Sequence, residues 1–394
     1  MRSTELFAGA GGLGLGVSAA GFEHTAVIEM DRHACDTIRE NQRRGIEPVV
    51  HWPLHEADVR DFDYSCLPRG LDLLTGGPPC QPFSLGGKKR GRQDGRDMFP
   101  EAVRAVRELR PRAFMFENVK GLTRPAFTRY LEYIRLQLTY PDSVRMKNER
   151  WTDHHSRLER HFTSGRRDDF YRVVVRSLNV ADYGVAQRRN RVFIVGLRSD
   201  LEVEWCFPNP THSREELLQS KWTTGDYWKR HCIAKRCRPA PPTSQERRCA
   251  NKPLKDSATL AWRTVRDEIS DLPDPEAHRD NGIANHRFVP GARSYSGHTG
   301  SPLDEPAKTL KAGNHGVPGG ENMLRKDDGS VRYFTIRECA RLQAFPDDYV
   351  FFGPWSATIR QLGNAVPVSV AQIVANSVRT ILSPSAKPPV RSHV

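Results

Sequence analysis

At 394 residues, with 38% hydrophobic and 27% charged side chains, the chain can bury two or three sizeable cores, and its composition excludes a disordered or fibrous protein. No apolar run approaches membrane-spanning length, the N-terminus lacks a signal-peptide pattern, and eight irregularly spaced cysteines make no disulfide framework, so a cytoplasmic protein without a membrane partner is expected. Sixty Lys and Arg against 47 Asp and Glu leave a net charge of +13, which favours polyanionic partners through long-range attraction and counterion release.

The first residues already read as a strand and a turn, so no N-terminal regulatory domain is expected. Up to about residue 200, short apolar runs alternate with helical stretches, the pattern of a parallel sheet covered by helices. The predicted strands are Ser3–Phe7, Thr25–Glu29, Leu71–Thr75, Ala113–Glu117 and Val192–Leu197, and several run directly into glycine or acidic turns. Open α/β sheets bind their ligands at such C-terminal strand ends. After the first strand, Gly9, Gly11 and Gly14 in Phe7-Ala8-Gly9-Ala10-Gly11-Gly12-Leu13-Gly14 satisfy G-x-G-x-x-G, and Glu29 follows at the spacing of a ribose-binding acid. Asp58-Val59 closes a further short segment, where a carboxylate can accept from an adenine amino group. Together these describe an adenosine site, and a nicotinamide-dependent oxidoreductase would be served as well as other nucleotide enzymes.

The strand Leu71–Thr75 leads into Gly76-Gly77-Pro78-Pro79-Cys80-Gln81-Pro82-Phe83-Ser84. Two prolines restrict the backbone ahead of Cys80, and a rigid turn followed by Lys88, Lys89 and Arg90 favours its thiolate. Glu117 ends the next strand, where apolar burial would raise its pKa and let it donate. A polar insertion, 137–170, has no assigned role. In the extended stretch Gln187-Arg188-Arg189-Asn190-Arg191, Arg189 and Arg191 point the same way and can face one carbonyl-rich ligand. From Pro208 to Ser330 prolines, glycines and basic residues dominate and helical periodicity is poor, so a loop-rich second lobe is predicted; eight basic residues and a single acid lie between Lys229 and Lys252. A helix is predicted over Thr335–Phe345, with Thr335 and Glu338 at capping-box spacing and Pro346 stopping it. The last helix, Pro367–Leu382, carries an apolar stripe, and a Pro- and Ser-rich tail expected to be disordered follows.

These motifs, in this order, resemble the DNA cytosine-5 methyltransferase family of bacterial restriction-modification or orphan type. The resemblance is carried by the glycine turn, Glu29-Met30-Asp31, Asp58-Val59, Pro79-Cys80-Gln81, Glu117-Asn118-Val119, Gln187-x-Arg189-x-Arg191, Arg337-Glu338-x-x-Arg341-Leu342-Gln343-x-Phe345-Pro346 and Gly363-Asn364-x-Val366. It implies an α/β fold: a Rossmann-like S-adenosylmethionine-dependent methyltransferase lobe with a smaller loop-rich target recognition lobe, and duplex DNA in the cleft. Residues 1–204 would form the catalytic lobe, 205–330 the target recognition domain, 331–382 a segment completing the catalytic lobe, and 383–394 a flexible tail.

The resemblance further implies attack by Cys80 on carbon 6 of a flipped-out cytosine, with Glu117, Arg189 and Arg191 around the base. Phe7, Gly9, Gly11, Gly12, Glu29, Met30, Asp58, Val59, Pro79, Asn364 and Val366 would hold S-adenosylmethionine, with S-adenosylhomocysteine as product. Gln81, Ser84, Lys88, Lys89, Arg90 and Thr309 would touch double-stranded DNA. The enzyme would need no metal and would work as a monomer, with a cognate restriction endonuclease as a separately acting partner. The irregular spacing of Cys206, Cys232, Cys237 and Cys249, with His212 and His231 nearby, favours ordinary thiols over a zinc site. The Cys-Phe-Thr signature of the family's tRNA-modifying branch is absent, since Pro208 follows Cys206-Phe207.

Overall fold

The computed structural model describes residues 1–79, 97–164, 171–239, 243–244, 259–313 and 322–383. They fall into two compact units. The first holds Met1–Leu178, Asn190–Pro208 and the chain from Ala371 on; the second holds Asn179–Arg189 and Asn209–Val370.

In the first unit the chain runs β1 (Arg2–Leu6), α1 (Gly12–Ala19), β2 (Glu23–Glu29), α2 (Arg32–Arg43), β3 (Leu54–Glu56), β4 (Leu73–Gly76), α3 (Phe99–Leu109) and β5 (Ala113–Val119). It continues through α4 (Thr128–Thr139), α5 (Trp151–Thr163), β6 (Tyr171–Asn179) and β7 (Asn190–Arg198). The seven strands form one sheet ordered β3-β2-β1-β4-β5-β7-β6. β1, β2, β3, β4 and β5 pair in parallel, and β7 runs antiparallel to β5, with Glu117 opposite Phe193 and Val119 opposite Arg191. Chain order reverses between β1 and β4, so the turns leaving these two strands flank the crevice where such sheets bind ligands.

The predicted strands are present with ends shifted by one to two residues. Their near-continuous apolar character follows from burial on both faces: Leu6, Ile28, Leu74, Phe114, Phe116 and Ile194 join one core with Phe99 of α3 and Ile134 of α4. The 137–170 interruption contains an amphipathic helix, α5, which packs on α4; His154 accepts or donates at Nδ1 with the Tyr133 hydroxyl at 2.8 Å and at Nε2 meets Ser143 O at 2.7 Å.

The second unit contains β8 (His212–Ser213), α6 (Arg214–Trp222), α7 (Asp226–Arg230), β9 (Leu260–Ala261), α8 (Val265–Ile269), β10 (Ser301–Pro302), β11 (Met323–Arg325), β12 (Val331–Tyr333), α9 (Ile336–Arg341) and α10 (Trp355–Asn364). The expectation of poor helical content after Pro208 is corrected by α6, α7 and α8. Their weak periodicity arises because the core here is aromatic and nonperiodic, with Tyr227, Trp228 and Trp262 around Leu217. Both oxygens of the predicted capping box are engaged at α9, where Thr335 Oγ1 accepts from the Glu338 amide and Glu338 accepts from the Thr335 amide. The helix ends at Arg341, ahead of Pro346, because Ala344 turns left-handed with φ of 58°.

The last helix, α11 (Val368–Leu382), joins the first unit from Ala371 on. There Trp205 donates its indole proton to Ser377 Oγ at 3.1 Å, and Arg112 donates to Leu382 O at 3.0 Å. By length and mean hydropathy alone Trp355–Leu382 could pass for a membrane span, as buried core helices do. It is two helices, α10 and α11, separated by Ala365–Pro367, and 56% of its most apolar window is buried in the protein.

Candidate active site

In the first unit the glycine turn follows β1 directly. Phe7, Gly9 and Gly11 have φ of 55°, 55° and 79°, so the backbone doubles back through left-handed conformations that glycine adopts without a Cβ clash. Beside Gly9 the space is open for 4 Å where a side chain would sit. Glu29, only 8% exposed at the end of β2, clamps the turn: its carboxylate accepts from Gly9 N at 2.7 Å, Met30 N at 2.9 Å and Asp31 N at 2.7 Å. Burial raises its pKa, and the three amides oppose that rise. Next to it Met30 is 62% exposed, an apolar side chain presented to solvent beside a ribose-type acid.

Asp58 lies two residues beyond β3, where Arg60 reaches back to it through Nε at 2.9 Å and through its backbone amide at 2.9 Å. That contact holds the Asp58 carboxyl below its usual pKa. Val59 is buried in the core and Pro79 is exposed.

The exit of β4 is held from β5. Asn118 Nδ2 donates to Pro78 O at 2.9 Å, and Pro79 O accepts from Met98 N at 3.0 Å. A Cβ on Gly77 would lie 3.6 Å from Glu117 Oε2, so this carboxylate stands beside a residue three positions before Cys80 in the chain. Glu117 is 6% exposed and Arg191, at 7%, sets its Nε 2.7 Å from Glu117 Oε1. Apolar residues alone therefore do not define the surroundings of Glu117. Burial lowers the Arg191 pKa and Glu117 opposes that fall. Cys80, Gln81, Ser84, Lys88, Lys89 and Arg90 lie outside the described residues.

In the second unit Arg189 is fully buried and donates to three main-chain carbonyls: Leu310 at 2.9 Å, Gly363 at 2.6 Å and Ala365 at 2.9 Å. It thus engages different partners from Arg191, two residues on. Gln187, which sequence reasoning did not single out as a site residue, bridges the same region by accepting from Leu310 N and donating to Leu342 O, both at 3.1 Å. Its signal was its place at the head of the Gln-x-Arg-x-Arg run. Asn118 was equally missed, although it sits inside a quoted motif. Asn364 is exposed at the end of α10, Val366 is buried, and Thr309 donates to Arg188 O at 2.7 Å. Among the described residues no group of three His, Cys, Asp or Glu is placed to hold a metal; Cys249 lies outside them.

An open α/β sheet with a glycine turn, an acid clamped after the second strand and a buried Glu–Arg pair at its C-terminal edge defines a Rossmann-like methyltransferase lobe. Solved structures share the fold. A putative DNA modification methyltransferase encoded within an E. coli prophage superposes with a TM-score of 0.57 at 20% identity, covering 97% of this chain and 99% of that one. The Dnmt2 methyltransferase of S. pombe gives 0.52 at 16% identity, covering 95% and 97%. Residues 1–140 and 151–380 match the family described as C-5 cytosine-specific DNA methylase, and the chain belongs to that family: it is a DNA (cytosine-5) methyltransferase. Among curated relatives, the type II methyltransferase M.NgoMIV of Neisseria gonorrhoeae is 32% identical over 95% of this chain and 96% of its own length. M.Eco47II of Escherichia coli is 31% identical over 96% of this chain and 78% of its own length.

Proposed function

We propose that the enzyme methylates carbon 5 of a cytosine flipped out of a specific short site in duplex DNA, through a Cys80 adduct at carbon 6. The observation that carries this reading is the buried Glu117–Arg191 pair at 2.7 Å, set beside Gly77 where the chain heads toward Cys80. S-adenosylmethionine, when bound, would supply an activated methyl group, with S-adenosylhomocysteine as product. The residues present fit its adenosine half: open space at Gly9, a buried carboxylate at Glu29 with acceptor capacity toward ribose hydroxyls, and the exposed Met30 beside it. Phe7, Gly11, Gly12, Asp58 and Val59 belong to the same assignment, with Pro79, Asn364 and Val366 assigned to the methionine end.

Base flipping is required because ring carbons cannot be attacked inside the stack. The Cys80 thiolate adds to carbon 6, which makes carbon 5 nucleophilic. Glu117 engages ring nitrogen N3 and the exocyclic amine, stabilising charge as it develops, and Arg191 fixes that carboxylate at the base. Arg189 is assigned to the same step. Carbon 5 then takes the methyl group, and loss of its proton to solvent with expulsion of the thiolate from carbon 6 gives 5-methylcytosine and regenerates Cys80. Residues 205–330 are assigned to choosing the site and 331–382 to completing the catalytic lobe, although only the part from Ala371 on belongs to the first compact unit, and Gln81, Ser84, Lys88, Lys89, Arg90 and Thr309 are assigned to DNA. A separately acting restriction endonuclease is the natural companion of such an activity.

Bisulfite sequencing of DNA from a methylation-free host expressing the chain tests the whole reading. Methylcytosine in one short recurring context is expected. The Cys80→Ser variant should leave that DNA unmethylated while still binding duplex, because a hydroxyl is a far weaker nucleophile at neutral pH. Full methylation by the serine variant removes Cys80 from the mechanism.

A further inference from the structure

Beneath the glycine turn lies a buried carboxyl that the reaction does not use. Glu5, on β1, is entirely buried, and among the described residues its carboxyl oxygens have no side-chain hydrogen-bond partner, though the Gly14 amide is near enough to favour its charge. Its place is specific. A Cβ added to Gly14, in the first turn of α1, would lie 2.4 Å from Glu5 Oε2, so the carboxyl occupies the room that any side chain at position 14 would need.

His24, on β2, reaches the same residue. Its Nε2 lies 3.2 Å from Gly14 O and its Nδ1 3.0 Å from Ser3 Oγ. A carbonyl can only accept, so the ring proton belongs on Nε2, and Nδ1 accepts from the serine hydroxyl. Trp52 closes the cluster, edge-on to His24 at 5.1 Å and 2.9 Å from the same Gly14 Cβ position, while its indole donates to Ser18 Oγ of α1 at 3.2 Å. Side chains from two strands and a loop thus converge on α1, directly behind the turn clamped by Glu29.

Electrostatics sets the form of Glu5. His24 Nε2 stands 3.8 Å from Glu5 Oε2, too far for a hydrogen bond. α1 and β4, which neighbour β1, carry no charged side chain; the Gly14 amide favours a negative Glu5, and Glu29 opposes it. An ionised carboxylate here would be a buried charge with little compensation. Burial accordingly pushes the Glu5 pKa well above the usual carboxylate range and pulls His24 down to about 4.

We propose that Glu5 is a positioning residue for the cofactor: as an un-ionised carboxyl, with His24 beside it, it supports the first turn of α1 and so holds the Phe7–Gly11 turn in its adenosine-binding form. The inference rests on the assignment of that turn to S-adenosylmethionine.

The test is calorimetric titration of S-adenosylhomocysteine into wild type, Glu5→Gln and Glu5→Ala at pH 7, with methylation rates at saturating S-adenosylmethionine. Glu5→Gln keeps the shape without the charge and is expected to bind within about threefold of wild type at pH 7. Glu5→Ala should lose tenfold or more in affinity while keeping its saturated rate. A tenfold loss in Glu5→Gln, or wild-type affinity in a folded Glu5→Ala, would each overturn the proposal. Failure of the wild type to bind S-adenosylhomocysteine would overturn the cofactor assignment itself, and this inference with it.

Discussion

Replacing Arg189 by Met keeps the length of the side chain and removes its donors. Three main-chain carbonyls, of Leu310, Gly363 and Ala365, then lose a charged hydrogen-bond donor inside the second unit. Each such bond contributes roughly 1.5–3 kcal/mol, and a buried acceptor left without its donor adds a desolvation cost. The three do not add independently, because they hang from one planar group and the loops holding the carbonyls can relax together. A loss of ~3–5 kcal/mol is the expected total, in line with removing one partner from a buried charged network. For a unit of this size that corresponds to a fall in melting temperature on the order of 10 °C. Arg189→Lys should recover only part of it, since a single ammonium cannot reproduce the spread of a guanidinium across three carbonyls. Urea unfolding and calorimetry of wild type, Met and Lys variants measure this directly. A Met variant that unfolds at the wild-type urea midpoint yet methylates no DNA would refute the reasoning, and would give Arg189 a role at the base alone.

Gly363→Ala should be as damaging for a different reason: the new methyl would lie 2.2 Å from Ala312 N and 2.4 Å from Ala312 Cα, and backbone cannot rotate aside. A cost of about 1–3 kcal/mol or more is expected, with weaker S-adenosylhomocysteine binding as Asn364 shifts; an unchanged melting temperature would sink this reading. The His24 ring should make the protein acid-labile. The unfolded chain protonates it below pH 6.5, whereas the folded chain resists until about 4. Its stabilisation is therefore present above pH 6.5 and lost as pH falls toward 4, by at most ~3 kcal/mol. Unfolding free energies of wild type and His24→Gln across that interval should converge as the pH drops; a constant gap would show that the ring does not titrate.

The elements and their caps were legible in the chain because they are local. Apolar runs ending in glycine or acid placed five strands to within one to two residues, and the Thr335–Glu338 spacing announced a box that both side chains form. The place of Glu29 at the end of the second strand was legible for the same reason, but its hold on the Gly9 amide was not, because the ribose assignment did not include it. Asp58 shows the limit even of local reading: its carboxylate is engaged by Arg60, two residues away, which the adenine assignment had not considered.

What the chain alone determined is the order of its chemistry-bearing turns, the glycine loop, and which carboxylates and arginines stand at strand ends. Alternation in a strand tells which side chains share a face, and so it grouped Arg189 with Arg191. Only the tertiary structure decided that Arg191 meets Glu117 across the antiparallel β5–β7 pair, while Arg189 holds three carbonyls from segments more than a hundred residues on. It also decided that Glu5 and His24, on different strands, converge on Gly14. Periodicity records burial, but a partner is chosen by whatever long-range packing brings within hydrogen-bond reach, and no spacing along the chain encodes that distance.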